Sequence, residues 1–384
     1  MADQPSTSAA AAGRGSPTSP TSPKSPKSPA SAGGSPSAQV VPHQAELVAA
    51  PDPEGPEGED VLDDDDSALG DDAASSTNSI TASIMEYRTI QGRTFHSEKH
   101  NSKYFTPNDE QQLQSQDITH HYLTLLIGDK LFLAPIPETV EKVLDIGTGS
   151  GIWAIDFADQ FPNAEVIGTD LSPTQPLWVP PNVKFELDDC TQPWTWASDN
   201  FDFVHGRYLF GAIADWTEWF RQAYRVTKPG GWVESCEADV EIISDDGTIA
   251  PDSSIELFWN MLYRTAGEKL GVTFQPLLEN VQNKGLEEAG FVDIQSYTYK
   301  FPVGGWPQDK RLQEVGQYVQ LTMLNDVEGY TLFLWNTVMG ENAPGYQEYL
   351  AYMRKELRNK RIHGYMKCRF SFGRKPETAT GASG

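Results

Sequence analysis

The sequence predicts an α/β fold: a mostly parallel sheet with helices on both faces, behind a tail that does not fold. Three observations predict it. Val143-Leu144-Asp145-Ile146 is a short, mostly apolar run that ends in glycines, the mark of a buried parallel strand. Strand and helix patterns then alternate as far as Cys236, which requires right-handed crossovers and a sheet covered on both sides. No aromatic residue precedes Tyr87, so the first 85 residues have too little apolar surface to offset the entropy of ordering.

Taken in order, Asp109 to Leu126 reads as a helix. Ile152 to Phe161 is the helix after the first strand. Ala164 to Thr169, Val183 to Leu187 and Phe201 to His205 are the next three strands. Trp216 to Val226 is a helix, Lys228-Pro229-Gly230-Gly231 a turn, and Trp232 to Cys236 a fifth strand. Helices are expected over Ile255 to Lys269 and Leu277 to Ala289, with Gly290 as the stop. Phe291 to Phe301 reads as a strand, Asp309 to Leu324 and Pro344 to Lys360 as helices. Tyr365 to Phe372 is a last strand, antiparallel to Phe291–Phe301. The expected organisation is a disordered tail over 1–85, a helical lid segment over 86–135, the sheet domain over 136–375 with helical substrate-binding insertions, and a disordered end over 376–384.

Charge narrows the partners. The 384 residues carry a formal net charge of -25, with 29 basic against 54 acidic side chains. A groove that follows a phosphate backbone needs clustered Lys and Arg, so direct nucleic-acid binding is disfavoured. The same balance, and the lack of any long apolar run, disfavours a membrane. Cys190, Cys236 and Cys368 are odd in number and far apart, which suits a reducing compartment, the cytosol or nucleus. The tail repeats Ser-Pro from Ser16-Pro17 to Ser35-Pro36 and is acidic thereafter. It reads as an extended, solvated segment or as a cluster of proline-directed phosphorylation sites through which protein partners bind.

The chemistry lies in Asp145-Ile146-Gly147-Thr148-Gly149-Ser150-Gly151, between a strand and a helix. Glycines let the chain turn tightly and let a ligand lie against bare backbone, and the helix start offers unspent N–H groups. A dinucleotide fingerprint is GxGxxG, whereas the third glycine here comes one residue early. Asp145 would oppose a pyrophosphate and favour the ammonium of a methionine moiety. Asp170 and Leu171 end the next strand, where a carboxylate accepts from both ribose hydroxyls. Asp188, Asp189 and Cys190 follow the third strand, at the edge where an adenine would lie. Carboxylates at three successive strand ends around a glycine loop point to S-adenosylmethionine, with no metal.

These residues, with Lys228-Pro229-Gly230-Gly231-Trp232, resemble the class I methyltransferases, and within them the fungal LaeA-like branch. The resemblance spans roughly residues 80 to 370. It is most specific over Tyr87 to His96, Pro107 to Glu110 and Phe201 to Leu209. It implies a Rossmann-like sheet of seven strands with a C-terminal antiparallel edge strand.

Methyl transfer from a sulfonium asks mainly for alignment and exclusion of water, with at most one general base. Candidates at the strand ends are His205, Arg207 and Glu237. His205 would take a proton, Arg207 hold an acidic substrate, and Glu237 bind or deprotonate substrate; packing or ion-pair roles are the alternatives for each. His120 and His121 are adjacent on a helix and point apart, which disfavours a metal pair. Tyr104 and the Arg93 region are placed to fold over the cofactor. The tryptophans read as packing residues, with Trp259 and Trp306 as candidates for lining a pocket. Two functions remain: methylation of a small molecule of fungal secondary metabolism, or a nuclear regulator that binds the cofactor and partner proteins.

Overall fold

Seven strands order as β5-β4-β3-β6-β7-β9-β8 in one sheet. The computed structural model describes residues 43–50, 87–97 and 103–377. Along the chain these are a hairpin of β1 (Arg88–Ile90) and β2 (Arg93–Phe95), then α1 (Glu110–Leu126) and β3 (Lys142–Ile146). There follow α2 (Ile152–Gln160), β4 (Glu165–Asp170), β5 (Val183–Leu187), β6 (Phe201–Arg207), α3 (Trp216–Val226) and β7 (Thr227–Ile243). A π-helical turn (Ile255–Asn260) leads into α4 (Met261–Leu270), then α5 (Val281–Ala289) and β8 (Val292–Pro302). The chain ends with α6 (Lys310–Asn325), α7 (Val327–Met339), α8 (Tyr346–Leu357) and β9 (Tyr365–Arg374).

β3 to β7 run parallel, and β9 runs antiparallel to both β7 and β8 at the C-terminal side of the sheet. From β3 the chain steps outward to β4 and β5, then returns to place β6 on the other side of β3. That reversal opens a crevice beyond the carboxyl ends of β3 and β6, where ligands of such sheets bind. Alternation along the strands sorts the two faces. Val143, Val166 and Phe203 pack with Trp153 and Phe157 of α2, while Leu144, Ile167 and Val204 pack with Trp219 and Phe220 of α3.

Four helices begin on an aspartate that accepts a hydrogen bond from the first turn: Asp109 for α1, Asp215 for α3, Asp309 for α6 and Asp326 for α7. Gly290, at φ +96°, ends α5 as expected.

The structure differs from expectation in several places, among them α7, where no helix is expected. Residues 88–95 form a hairpin, not part of a helical segment; Gln91 and Gly92 both take positive φ at its turn. Lys228 to Gly231 do not leave the sheet. They form a bulge within β7, where the register jumps from Phe201↔Thr227 to Phe203↔Trp232. Lys375 exchanges backbone hydrogen bonds with Gly230 and Gly231, and Lys228 Nζ bonds Asp202 at 2.9 Å. The helix expected from Ile255 starts as a π turn, at the end of which Asn260 bonds both backbone groups of Ile242 near the end of β7. Finally, 43–50 is ordered. Gln44 pairs its side-chain amide with the main chain of Lys300 on β8, and Ala49 bridges to Pro307. The rest of the expected disordered tail, its Ser-Pro run included, and residues 378–384 lie outside the described residues. No helix among the described residues is long and apolar enough to cross a membrane.

Candidate active site

The glycine loop joins β3 to α2, and Gly147, Gly149 and Gly151 all take positive φ. At Gly149 the left-handed φ of +59° disfavours any side chain, and a Cβ would fall 2.4 Å from Gln116 Oε1, the end of a flexible side chain that would have to shift. The loop is held from three sides. Thr148 N–H donates to Thr169 O at 2.8 Å, Gly149 N–H to Asp170 Oδ2 at 2.9 Å, and Gln116 of α1 accepts from Ser150 N–H at 3.0 Å. Gln175 donates to Gly149 O at 2.7 Å.

Around this loop lies a cavity that runs over the carboxyl ends of the strands. Its wall includes Asp145, Gly147, Thr148 and Gly149, then Asp170 and Leu171, then Asp188, Asp189 and Cys190. The structure thus brings together every expected cofactor residue except Gly151. That glycine stands behind the loop, where a Cβ would meet Phe185 at 2.5 Å; it permits close packing of loop on strand. Burial raises the Asp170 carboxyl above its usual range, against the hydrogen bonds from Gly149 and Ser172. Asp189 Oδ1 accepts from Thr191 N–H and Oγ1.

Asp145 is 3% exposed and pairs in register with His205 on β6. Its Oδ1 lies 2.7 Å from His205 Nδ1 and its Oδ2 accepts from Thr148 Oγ1 at 2.6 Å. The imidazole stacks on Trp153, with centroids 3.7 Å apart and planes 4° from parallel. His205 Nε2 is buried with no partner, and the residue lines the cavity. Burial pulls its pKa below the usual imidazole value, against Asp145. A carboxylate only accepts, so Nδ1 carries the proton and Nε2 keeps its lone pair.

Beyond the loop the cavity becomes an apolar chamber. Phe105, Phe210, Trp259, Phe301, Met323 and Met366 wall it. The Tyr122 and Tyr208 hydroxyls, 3.3 Å apart, are polar exceptions. Tyr208 holds φ +57°, a left-handed conformation costly for an aromatic side chain. Thr322 Oγ1, on α6, is buried in this wall without a partner.

A family model described as a methyltransferase domain matches residues 118–273. The methyltransferase pytC of Aspergillus terreus is 40% identical over 270 residues, covering 70% of this chain and 82% of that protein. The chain belongs to the fungal methyltransferase family. The protein-methionine methyltransferase laeA of Emericella nidulans is 30% identical over 295 residues, covering 76% of this chain and 77% of that protein. Among solved structures, the phosphoethanolamine N-methyltransferase 2 of Haemonchus contortus, in complex with S-adenosyl-L-methionine, is 19% identical with a TM-score of 0.35. That alignment covers 72% of this chain, and the chain spans about half of that enzyme, 54%.

The remaining expected residues of this methyltransferase fall as follows. Arg207 lines the cavity, and both Nη atoms lie 3.2 Å from His120 Nδ1. Glu237 does not line it; fully buried, it accepts from the backbone N–H groups of Leu209 and Phe210 and so shapes the loop after β6. Burial holds its carboxyl well above the usual range. His120 and His121 face different elements, His121 stacking edge-on against Tyr318 of α6. Tyr104 lines the cavity, whereas Arg93 is spent on Asp109 and Asp326. Trp259 lines the chamber; Trp306 donates to Gly364 O instead. Trp178 is exposed, not packed. Sequence reasoning missed Gln116, Tyr122 and Thr322, because helices remote in sequence bring them to the loop and no local motif marks them.

Proposed function

We propose that this methyltransferase binds S-adenosylmethionine and methylates a small, largely apolar molecule of fungal secondary metabolism. One observation carries the reading: the cavity is continuous from the glycine loop and its carboxylates into a chamber walled by aromatic and methionine side chains. A mostly apolar chamber with a few polar atoms suits a small ring-bearing ligand better than a polypeptide segment.

The residues present fit the cofactor. Gly147, Thr148 and Gly149 leave bare backbone for the methionine moiety, with Asp145 beneath it. Asp170 suits the ribose hydroxyls, and Leu171, Asp188, Asp189 and Cys190 the adenine end. When bound, S-adenosylmethionine supplies an electrophilic methyl group and a neutral thioether leaving group. The chain's own work is to align the acceptor, exclude water and move one proton. His205, its Nδ1 held by Asp145, keeps Nε2 free to take the proton of an acceptor hydroxyl.

Calorimetric titration with S-adenosylmethionine and S-adenosylhomocysteine tests this, with NAD as the control ligand. Wild type should bind both sulfur nucleosides and Gly149→Arg neither. A strain lacking the gene should lose one methylated compound and accumulate its precursor. Binding of NAD alone would sink the reading. A broad fall in many metabolites would favour the second reading, a nuclear regulator working through its acidic Ser-Pro tail; a cytosolic enzyme suits the first.

A further inference from the structure

We propose that Arg207, oriented by an Asp156–His120 pair, is a carboxylate-binding centre of the cavity; the inference rests on the methyltransferase reading. Arg207 stands at the carboxyl end of β6 and lines the cavity. Its Nη1 and Nη2 converge on one atom, His120 Nδ1, each at 3.2 Å. A guanidinium has no acceptor, so Nδ1 must accept. The ring proton is therefore on Nε2, which donates to Asp156 Oδ2 at 2.9 Å. His120 is thus held neutral, as its burial also favours.

The consequence is electrostatic. A neutral ring orients the guanidinium without cancelling its charge, and no carboxylate among the described residues pairs with Arg207. Asp156 is on the far side of the ring and half exposed to water. Arg93 is treated differently: more deeply buried than Arg207, it is matched by two aspartates. A partly buried guanidinium with most of its donors open to the cavity is a ready partner for an anion. Its planar geometry matches a carboxylate bidentately, where an ammonium would not. The start of α2 supports the same sign of charge. Ile152 and Trp153 line the same cavity, and Gly151, at the N-cap, offers no side-chain cap to the first-turn N–H groups. Two carboxylates qualify by chemistry: the α-carboxylate of the cofactor, or an acid group on the acceptor. His120 and Asp156 act through Arg207 and are positioning residues.

The probe for the first source is decarboxylated S-adenosylmethionine, which keeps the sulfonium and nucleoside and lacks only the acid. The probes for the second are 2-naphthoate and 2-naphthol, titrated into the full chain with and without S-adenosylhomocysteine. If the cofactor's acid is the ligand, wild type prefers S-adenosylmethionine over the decarboxylated form by about 10- to 100-fold. Arg207→Met then abolishes that preference, Arg207→Lys keeps part of it, and His120→Phe reduces it. If the acceptor's acid is the ligand, that ratio is the same in wild type and Arg207→Met. The variant then loses 2-naphthoate binding about 10-fold or more and keeps 2-naphthol. Either pattern, in variants whose thermal unfolding matches wild type, supports the proposal. Ratios unchanged for both probe pairs in Arg207→Met and Arg207→Lys overturn it. Failure of the parent reading shows otherwise, as no affinity of wild type for either sulfur nucleoside, and the naphthoate pair then decides alone.

Discussion

His205 Nδ1 and Asp145 Oδ1 lie 2.7 Å apart because the two residues are register partners on adjacent parallel strands. The pairing sets the tautomer, and Trp153 sets the plane of the ring. We expect His205→Ala to lower the methyl-transfer rate by about 10²- to 10⁴-fold. Asp145 and Arg207 both face this region, but burial is the largest influence on the ring and keeps it neutral. Wild-type activity should therefore hold through neutral pH and fall only below the usual imidazole range, as Nε2 gains its proton. A rate–pH profile checks this; an unchanged rate in His205→Ala would remove the residue from proton transfer.

Arg93 bridges the N-caps of two helices, binding Asp109 at 2.5 Å and Asp326 at 2.6 Å. Asp326 is fully buried, and beside the Gly329 N–H that it caps, Arg93 supplies the positive charge that offsets its carboxylate. Arg93→Met should cost about 3–5 kcal/mol by urea unfolding. Adding Asp326→Asn should recover part of the loss. α1 and α7 carry Gln116 and Tyr330 to the cavity, so cofactor affinity should fall along with stability.

Glu234, fully buried on β7, accepts from the backbone N–H groups of Leu133 and Ala134. Burial raises its carboxyl from 4.5 to about 7. The folded state therefore binds this proton more tightly than the unfolded chain. Its stabilising contribution is complete below about pH 4.5 and declines as pH rises toward about 7. Glu234→Gln should flatten that part of the stability–pH curve relative to wild type. Equal slopes in urea titrations at pH 4.5 and 7 for both proteins would refute the assignment.

Thr322 Oγ1 is a buried hydroxyl without a partner in the chamber wall. Replacing it with an isosteric methyl removes an unmet hydrogen-bonding group. Thr322→Val should stabilise the free protein by about 1 kcal/mol. If the hydroxyl bonds the acceptor, the same change should lower kcat/KM for it. Thermal unfolding and turnover with the native acceptor, compared side by side, separate the two effects.

The elements that could be read locally were those with one strong signal. Trp216–Val226 has an aspartate before it and an apolar stripe of Trp216, Trp219, Phe220 and Ala223, and its limits match expectation. The glycine loop was legible because its geometry admits almost nothing else. The hairpin was hidden because its strands are three residues long and Gln91, unusual at positive φ, precedes the turn glycine. α7 was hidden by its position. Only Asp326 separates it from α6, and its apolar residues, Leu332, Phe333, Leu334 and Trp335 among them, run together instead of recurring at helical spacing. For the site, the carboxylates at strand ends followed from the order of strands. The polar atoms of the chamber did not, since Tyr122 and Thr322 reach it from helices that only the tertiary fold brings together.

The short segment at 43–50 bears on how copies of this protein behave toward one another. β8 is an outermost strand, and a bare outer strand invites a second sheet to zip onto it. Gln44 satisfies both main-chain groups of Lys300 there, and Val48 and Ala50 clasp the chain just beyond, at Gln308 and Trp306. The segment thus covers Lys300 near one end of that strand, like a selvedge on the edge of a cloth. A chain begun after residue 50 should self-associate at concentrations where the full-length form stays monodisperse.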